Sequence, residues 1–377
     1  MSESLTGIGM SEVINRTMIE QVLRQYHDPY LGMDLVAAGC VRDIAIEGGQ
    51  VRVDLFMGYP CGGLSAGITR ILQDYLEDLS GVTSAEVTLA WHVESMPTQG
   101  NLPAMSGIRN IIAVASGKGG VGKSTTTANL ALALAAEGAR VGVLDADIYG
   151  PSQGLMFGIA EGIRPDVITE GEQQFFLPIE AHGVQVMSMA FLVTENTPMV
   201  WRGPMVSGAL QQLLTQTRWD NLDYLIVDMP PGTGDIQLTL AQRVPVAGSV
   251  IVTTPQDLAL LDARKGIEMF RKVDVPVLGV VENMATHTCT NCGHTEHLFG
   301  EGGGTVLANE YDTELLASLP LTLRIREQAD GGNPSVIAEP DGEIAMTYRE
   351  LARRMAARLS VRNRQAPAAP TISISDD

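Results

Sequence analysis

The fold is decided by the stretch Gly117-Lys118-Gly119-Gly120-Val121-Gly122-Lys123-Ser124-Thr125. It satisfies the phosphate-loop pattern G-x-x-x-x-G-K-[ST], whose glycines let successive backbone N–H groups turn toward phosphate oxygens. In such a loop Lys123 can reach the β and γ phosphates, and the Ser124 hydroxyl can bind Mg²⁺. The sequence therefore predicts a nucleoside triphosphate site with Mg²⁺. Its predicted nucleotide-binding residues are Gly117, Gly119, Gly120, Val121, Gly122, Lys123, Ser124 and Thr125.

The flanks of this loop read as a strand followed by a helix. Residues 111–115 form a short apolar run that is typical of a buried strand. Residues 125–139 are rich in alanine and leucine and close at Gly138, which is typical of a helix ending at a glycine. That helix would direct its N-terminus at the phosphates, so a glycine-rich turn before an ordinary helix is the weaker interpretation.

Length, charge and cysteine content narrow the class of protein. At 377 residues, 45% of them hydrophobic, the chain suits two domains with an ample core. Its net charge of −19 argues against nucleic acid as a partner and disfavours anionic membrane surfaces. We find neither an apolar run of about 18 residues nor an N-terminal signal segment, so we expect no membrane partner and a cytoplasmic location. The four cysteines are then not expected to form stable disulfides.

The order of predicted elements divides the chain into two domains. Residues 11–93 predict a small α+β domain, with helices over 11–26 and 64–79 and strands over 41–46, 51–56 and 86–93. Residues 94–107 are polar and contain prolines, which predicts a linker. Residues 108–362 alternate strands and helices, which predicts an α/β fold, a parallel-sheet P-loop NTPase domain in three layers. Residues 363–377 read as a disordered tail.

The last predicted helix, residues 344–361, carries a row of arginines that continues just past its end. These are Arg349, Arg353, Arg354, Arg358 and Arg362. A membrane-binding amphipathic helix would use such a row, but the apolar side here is mostly alanine, leucine and methionine. We therefore expect a helix that closes the domain and turns a solvated basic face outward.

Three carboxylates follow predicted strands, at the edge where open parallel sheets bind their ligands. Asp228 ends an apolar run and can hold Mg²⁺ through water. Asp147 is a candidate to orient or deprotonate the attacking water. Asp145 could act in the same way, because strand alternation would put it on the same face as Asp147. For each of the three, a helix cap or a loop hydrogen bond is the alternative role.

A pair of cysteines, Cys289 and Cys292, follows the predicted strand 277–281 and so lies at the same sheet edge as the phosphate loop. Two thiolates three positions apart can share a metal, but a closed site needs four ligands. One of the neighbouring histidines, at 287, 294 or 297, could complete a zinc site within one chain. Alternatively, a two-fold dimer could place four cysteines around one iron–sulfur cluster. A pair of thiols without a metal is the third possibility, and the spacing does not choose among them.

The second lysine of the loop, Lys118, has no obvious task in its own subunit, because Lys123 already reaches the phosphates. Residue chemistry alone leaves a solvated surface lysine as a full alternative to a functional one.

Taken together, the motifs resemble a known family. The loop with its extra lysine is similar to the deviant phosphate loop of the MinD/ParA/nitrogenase-iron-protein class of ATPases. The whole set closely resembles the Mrp/ApbC family of iron–sulfur cluster carrier ATPases. Besides the loop, the matching motifs are Asp-Ala-Asp-Ile-Tyr-Gly-Pro-Ser from 145, Asp-Met-Pro-Pro-Gly-Thr-Gly-Asp from 228, Glu-Asn-Met from 282 followed by C-x-x-C, and Phe-Gly-Glu-Gly-Gly-Gly from 299. The first unit, with Asp28-Pro29, residues 41–44 and Pro60-Cys61, resembles the iron–sulfur-assembly domain often fused to their N-terminus.

The resemblance implies an ATP-hydrolysing homodimer. In the class, the extra lysine, here Lys118, reaches across the dimer to the partner's nucleotide, and Asn283 matches a family position near the nucleotide base. The family further implies a bridging [4Fe–4S] cluster on Cys289 and Cys292, with cluster-assembly scaffolds and apo iron–sulfur proteins as partners.

The chain departs from the family pattern at two places. Thr290 stands where family members often have proline. Gly62 and Gly63 follow Cys61 in place of the family's usual sequence, and Cys61 still precedes a predicted helix, whose dipole favours a thiolate. Cys61 is therefore either an accessory cluster or transfer ligand or a buried structural cysteine.

Two other functions stay open at this point. One is a MinD/ParA-like positioning ATPase that binds a surface or a scaffold, against which the acidic charge and the cysteine pair argue. The other is a zinc-stabilised, nucleotide-dependent scaffold that carries no cluster.

Overall fold

The computed structural model describes residues 14–96, 102, 104–192 and 203–365, without the side chains of residues 203–207 and 365. The chain divides into two compact units, residues 1–92 and 93–377. The start of the first predicted domain, most of the predicted linker's centre and the tail from residue 366 lie outside the described residues.

The described part of the first unit has the predicted α-β-β-α-β order with one short strand pair added. Its elements are α1 (Arg16–Leu23), β1 (His27–Asp28), β2 (Met33–Asp34), β3 (Val41–Glu47), β4 (Gln50–Met57), α2 (Ser65–Glu77) and β5 (Ser84–Trp91). The three-stranded sheet has the order β3-β4-β5, with β3 antiparallel and β5 parallel to β4. Helix α1 begins later than predicted because the Asn15 side chain accepts the N–H of Met18 at 3.1 Å and so caps it.

The second unit is built on one large sheet. In chain order, the strands of this unit are β6 (Ile108–Ala115), β7 (Val141–Asp145), β8 (Val167–Glu170), β9 (Gln173–Phe176), β10 (Ile179–Ala181), β11 (Val184–Ser188), β12 (Leu222–Asp228), β13 (Val246–Thr253), β14 (Val277–Glu282), β15 (His287–Thr288), β16 (Thr295–Glu296) and β17 (Leu315–Ser318). Eight of them form the sheet in the order β10-β11-β7-β12-β6-β13-β14-β17, and every pairing is parallel except β10 with β11. Strands β7, β12 and β13 are buried along their whole length, as expected for a parallel sheet covered on both faces.

Helices cover this sheet in two layers. They are α3 (Lys123–Ala136), α4 (Gln153–Met156), α5 (Gly203–Gln216), α6 (Asp235–Arg243), α7 (Asp257–Lys272), α8 (Gly303–Glu310), α9 (Leu323–Asp330), α10 (Ser335–Ala338) and α11 (Glu343–Gln365). Helices α3 and α11 pack on each other and against strands of the sheet, whereas α7 packs on α8 and on β13 and β14. The predicted parallel-sheet P-loop architecture is therefore confirmed. Because the strands run parallel, β6, β7, β12 and β14 all end at one edge of the sheet.

The stretch that joins the first unit to β6 is tied to the second unit. The carboxamide of Asn110 donates to the Glu94 carbonyl at 2.9 Å and accepts the N–H of Met96 at 3.1 Å. These residues at the start of the predicted linker therefore have fixed partners on β6.

The closing helix differs from its prediction in two ways. It extends to Gln365, three residues into the predicted tail. Its arginines also do not form a solvated basic face, because Arg349 and Arg353 both donate to the buried carboxylate of Glu137, at 2.8 and 2.6 Å. Arg354 and Arg358 form ion pairs with Glu314, the residue that precedes β17. The arginine row thus fastens α11 to the domain, with Glu137 at the end of α3 as its buried anchor.

Within the described residues, the hydropathy of every helix falls short of what a membrane-crossing segment needs.

The Glu137 anchor gives a stability prediction. Glu137→Ala leaves the buried Arg353 without its main counter-charge, so we expect unfolding in urea to show a loss of about 3–5 kcal/mol. The matched control is Glu350→Ala on α11, whose partner Arg354 is more than one-third exposed, with an expected loss of at most about 1 kcal/mol. Equal losses in the two variants would contradict the buried anchor.

Candidate functional site

The phosphate loop joins β6 to α3, and its glycines are required by its backbone and by its neighbours. Gly120 and Gly122 have φ values of 81° and 83°, which only glycine adopts without strain. A Cβ on Gly117 would lie 2.2 Å from the backbone of Asp262 on α7. A Cβ on Gly122 would lie 2.1 Å from the Asn283 amide nitrogen. The loop is therefore packed between α7 and the residue that follows β14.

Lys123 is the first residue of α3, and its side chain is buried at the base of the loop. Its ammonium group bonds to the Asp228 carboxylate and lies 3.2 Å from the Ser124 hydroxyl. Three of the predicted site residues are thus brought together. The ammonium is placed where a phosphate oxygen could compete with Asp228 for it.

Asp228 ends β12 and is completely buried. Besides Lys123, its carboxylate accepts hydrogen bonds from the Thr127 hydroxyl at 3.2 Å and from the Gln153 amide at 2.8 Å. The loop that follows Asp228 is joined to the phosphate loop, since the Gly232 N–H donates to the Ser116 carbonyl at 3.0 Å. Asp228 therefore connects the phosphate loop, the loop after its own strand and the start of α4.

Asp145 has the hydrogen bonds of a loop anchor. Its buried carboxylate accepts the N–H groups of Ser152 and Gln153 at 2.9 and 3.0 Å, and that of Asp147 at 3.2 Å. Burial, and secondarily the charge of Asp228, raise the pKa of Asp145 to about 7. Asp145 thus holds the loop 146–153 in place, so it has the loop hydrogen bonds that were the alternative to a catalytic role.

The expectation that Asp145 and Asp147 share one strand face is wrong. Strand β7 ends at Asp145. Its carboxylate accepts the N–H groups of Ser152 and Gln153, so the residues in between form a loop and do not continue the strand. Asp147 lies in this loop with 9% of its surface exposed, and it accepts the N–H of Gly150 at 3.3 Å. It therefore approaches the site from a loop next to the carboxyl edge of the sheet.

Gln153 is a site residue that the sequence analysis missed. Its side chain is fully buried, and its amide nitrogen donates to both Asp228 and the Ser124 carbonyl, the latter at 3.1 Å. A single glutamine after a Gly-Pro-Ser turn carries no motif, so only its contacts reveal it.

Lys118 is exposed at the mouth of the loop. Among the described residues its ammonium group has no ion-pair partner, and only its carbonyl is used, by the Ser116 hydroxyl at 2.9 Å. This placement leaves the side chain accessible from outside the chain.

The cysteine pair lies in the hairpin formed by β15 and β16. The Cys289 N–H donates to the His294 carbonyl and its carbonyl accepts the N–H of Gly293, both at 2.9 Å, while Gly293 adopts a φ of 73°. Cys292 is exposed and Cys289 is partly exposed. Hydrogen bonds from the backbone N–H groups of Cys292 and Asn291, and then from the Cys292 thiol, lower the pKa of Cys289.

The histidines near this pair do not complete a metal site within one chain. His287 and His297 use their Nδ1 atoms at the backbone carbonyls of Leu321 and Ala285, at 3.3 and 2.9 Å. Over the ranges that the structure describes, no group of three or more His, Cys, Asp or Glu side chains is placed to hold a metal ion.

Asn283 connects the two sites. It directly follows β14, and its amide nitrogen donates to the Val121 carbonyl of the phosphate loop at 2.9 Å. The cysteine hairpin begins four residues later, at His287. A contact of Asn283 with the nucleotide base stays a prediction.

Cys61 lies in the first unit, just before α2, where its carbonyl accepts the N–H groups of Leu64 and Ser65. Its side chain is fully buried. The structure therefore favours the buried structural cysteine over an accessible cluster ligand.

Each of the two units matches a known protein family. Residues 107–356 match the family model for the NUBPL iron-transfer P-loop NTPase, and residues 16–89 match that for an iron–sulfur cluster assembly protein. The iron–sulfur cluster carrier protein of Pseudomonas fragi is 70% identical over 75% of this chain and 97% of its own length. The carrier protein of the same name from Escherichia coli K12 is 48% identical over 91% of this chain and 92% of its own.

Among solved structures, a nucleotide-binding protein from Archaeoglobus fulgidus in complex with ADP is 39% identical to this chain. It aligns with a TM-score of 0.54 over 63% of this chain and 90% of its own. With the phosphate loop, the parallel sheet and the cysteine hairpin in place, the chain belongs to the ParA/NUBPL-type family of iron-transfer P-loop NTPases, the Mrp/ApbC family of iron–sulfur cluster carriers.

Proposed function

We propose that this chain hydrolyses ATP and carries a [4Fe–4S] cluster that bridges two copies of the chain, receiving it from cluster-assembly scaffolds and passing it to apo-proteins. The observation that carries the proposal is the hydrogen bond from Asn283 to Val121. It joins the phosphate loop to the segment that leads into the cysteine hairpin, so a movement at one site has a direct route to the other.

The residues around the loop suit a nucleotide with Mg²⁺. The Ser124 hydroxyl and the Asp228 carboxylate, the latter acting through water, supply the oxygen ligands that Mg²⁺ prefers. Bound there, Mg²⁺ would offset the negative charge of the β and γ phosphates. Lys123 would exchange its bond with Asp228 for one with phosphate, while Thr127 and Gln153 keep the carboxylate in place.

Hydrolysis needs a group that orients the attacking water. Asp147 fits this role, because it lies beside the carboxyl edge of the sheet on a loop that Asp145 holds. A carboxylate at that position can accept a hydrogen bond, and then a proton, from water.

The cluster needs four thiolates, and one chain offers two at its hairpin. Cys289 and Cys292 would be joined by the same pair of a second copy, as a two-fold axis requires. The donated N–H groups that lower the pKa of Cys289 favour the thiolate form that binds iron. The exposed Lys118 would reach the nucleotide of the partner copy, so ATP binding and cluster binding would depend on one dimer.

The same proposal places the carrier in the cytoplasm, where reduced thiols persist. Its partners would be proteins, and neither nucleic acid nor a membrane would be needed.

The cluster site predicts the outcome of anaerobic reconstitution with iron and sulfide. The full chain should gain brown absorbance with one cluster per two chains, and Cys289→Ser or Cys292→Ser should each abolish it because the site loses two of four thiolates. His294→Ala, in the same hairpin, is the control and should keep the cluster. Brown absorbance that survives both cysteine changes, or one cluster per single chain, would refute the bridging site.

The lowered pKa of Cys289 predicts its reactivity. In cluster-free protein, the hydrogen bonds to Cys289 favour its thiolate form relative to an ordinary thiol, so iodoacetamide modification of Cys289 should reach half of its maximal rate at a lower pH in the folded chain than in the urea-unfolded chain. Peptide mass spectrometry over a series of pH values measures both profiles. Identical profiles in the folded and unfolded chain would contradict the assignment.

The role of Asp147 predicts a separation of binding from turnover. Asp147→Ala should bind ATP within a few-fold of the unmodified chain but hydrolyse it about 10²–10⁴ times more slowly. Lys123→Ala should lose nucleotide binding or turnover altogether, and the exposed Asp341→Ala is the matched control, with no expected effect. Unchanged phosphate release by Asp147→Ala would rule out Asp147 as the group that acts on water.

A further inference from the structure

Gln153 is the first residue of the four-residue helix α4, and its buried side chain reaches into the phosphate site. It lies outside every motif that identified the family. Its amide nitrogen contacts the two residues expected to hold Mg²⁺, at the Ser124 carbonyl and the Asp228 carboxylate.

The orientation of this amide is fixed by its neighbours. The Ser124 carbonyl and an ionised Asp228 carboxylate can only accept hydrogen bonds, so the NH₂ group must face them. A flipped amide would place its oxygen against two acceptors at 2.8 and 3.1 Å. The Gln153 Oε1 atom therefore points away from both partners.

The Gln153 Oε1 atom is buried and accepts no hydrogen bond within the described part of the chain. The adjacent Ser152 hydroxyl is also buried and has no hydrogen-bond partner among the described residues. Leaving a buried acceptor without a hydrogen-bond donor is costly, so proteins seldom keep one without a reason. Asp145 does not supply the donor, because its carboxylate accepts the N–H groups of Ser152 and Gln153. Lys123 does not supply it either, because its ammonium group donates to Asp228 and Ser124. A donor that arrives with a ligand would satisfy the Oε1 atom.

Water bound to Mg²⁺ has the required chemistry. Mg²⁺ keeps several waters when it binds through one or two protein ligands, and those waters point their hydrogens outward. Gln153 contacts both residues expected to hold Mg²⁺ through its nitrogen, which puts its side chain beside the waters that such an ion would keep.

We propose that Gln153 is a positioning residue for the metal: its NH₂ group holds Asp228 and the Ser124 carbonyl, and its Oε1 accepts a hydrogen bond from Mg²⁺-bound water. The inference rests on the proposed nucleotide site. When Lys123 turns to phosphate, Gln153 and Thr127 are the described side chains that still hold Asp228. Partners of this kind, one shell outside the metal, typically change metal affinity 10–100-fold when they are removed.

The test is binding of fluorescent ADP to the full chain, titrated in EDTA and then with increasing Mg²⁺. Gln153→Leu should need about tenfold more Mg²⁺ than the unmodified chain to reach half of its own Mg²⁺-dependent gain in ADP affinity, measured from each protein's affinity in EDTA. The matched control is Gln328→Leu, since Gln328 also donates to a carboxylate, Glu339 at 2.8 Å, and has a buried oxygen without a donor. It shares no partner with the phosphate loop and should leave the Mg²⁺ requirement unchanged.

A second variant separates the polar groups of Gln153 from simple packing. Gln153→Met keeps the length and buried volume of the side chain but has neither its donor nor its acceptor, so it should raise the Mg²⁺ requirement as Gln153→Leu does, and it decides the question if the leucine variant does not fold. A wild-type Mg²⁺ requirement in whichever of the two variants folds would overturn the role of Gln153. Failure of the unmodified chain to bind ADP at all would instead overturn the nucleotide site on which the inference rests.

Discussion

The constraint on which the site depends is the burial of the Asp228 carboxylate at the end of a strand that is buried along its whole length. A buried charge is stable only when it is paired and hydrogen-bonded, and Asp228 meets this need with Lys123, Thr127 and Gln153. These partners come from two elements, the start of α3 and the start of α4. Satisfying one carboxylate therefore fixes the phosphate loop and the loop after β7 relative to β12. Asp145 is buried near this carboxylate, and its pKa is raised first by its own burial and then by the charge of Asp228.

The parts that could be predicted from sequence are those whose chemistry is local. The phosphate loop, the strand before it and the C-x-x-C pair each occupy a few consecutive residues, and each requires particular residue types at fixed spacing. Gln153 and Glu137 could not be found in this way, because their partners lie 75 and 216 residues away in the chain. The solvated face expected of α11 failed for the same reason: the arginine pattern is visible in the sequence, but the buried acceptor is not. The alternation argument for Asp147 failed because the strand ends at Asp145, two residues before it, where the Asp145 carboxylate accepts N–H groups of the following loop.

The proposed coupling between nucleotide and cluster follows from how closely the two sites are joined. Gly122 has no room for a Cβ because Asn283 packs against it, and Asn283 bonds to the neighbouring carbonyl of Val121. A phosphate loop that tightens around a nucleotide would therefore move Asn283 or strain its contact. The path from Asn283 to His287 is held along its length, since the Ala285 N–H donates to the Leu319 carbonyl and the His287 ring bonds to the Leu321 carbonyl. Displacement would thus be passed to the hairpin instead of being absorbed within the connection.

The same geometry is consistent with the proposed symmetric partner. Lys118 extends from the phosphate loop without an ion pair in the described part of its own subunit, and the cysteine pair presents two thiols where a cluster needs four. Both groups lie at the carboxyl edge of one parallel sheet. A two-fold axis near that edge would satisfy both needs at once, because each copy would give a lysine to the other's nucleotide and two thiolates to a shared cluster. A partner of different structure would have to supply each of these groups independently. Completion by a second copy is therefore the arrangement that requires the fewest additional features.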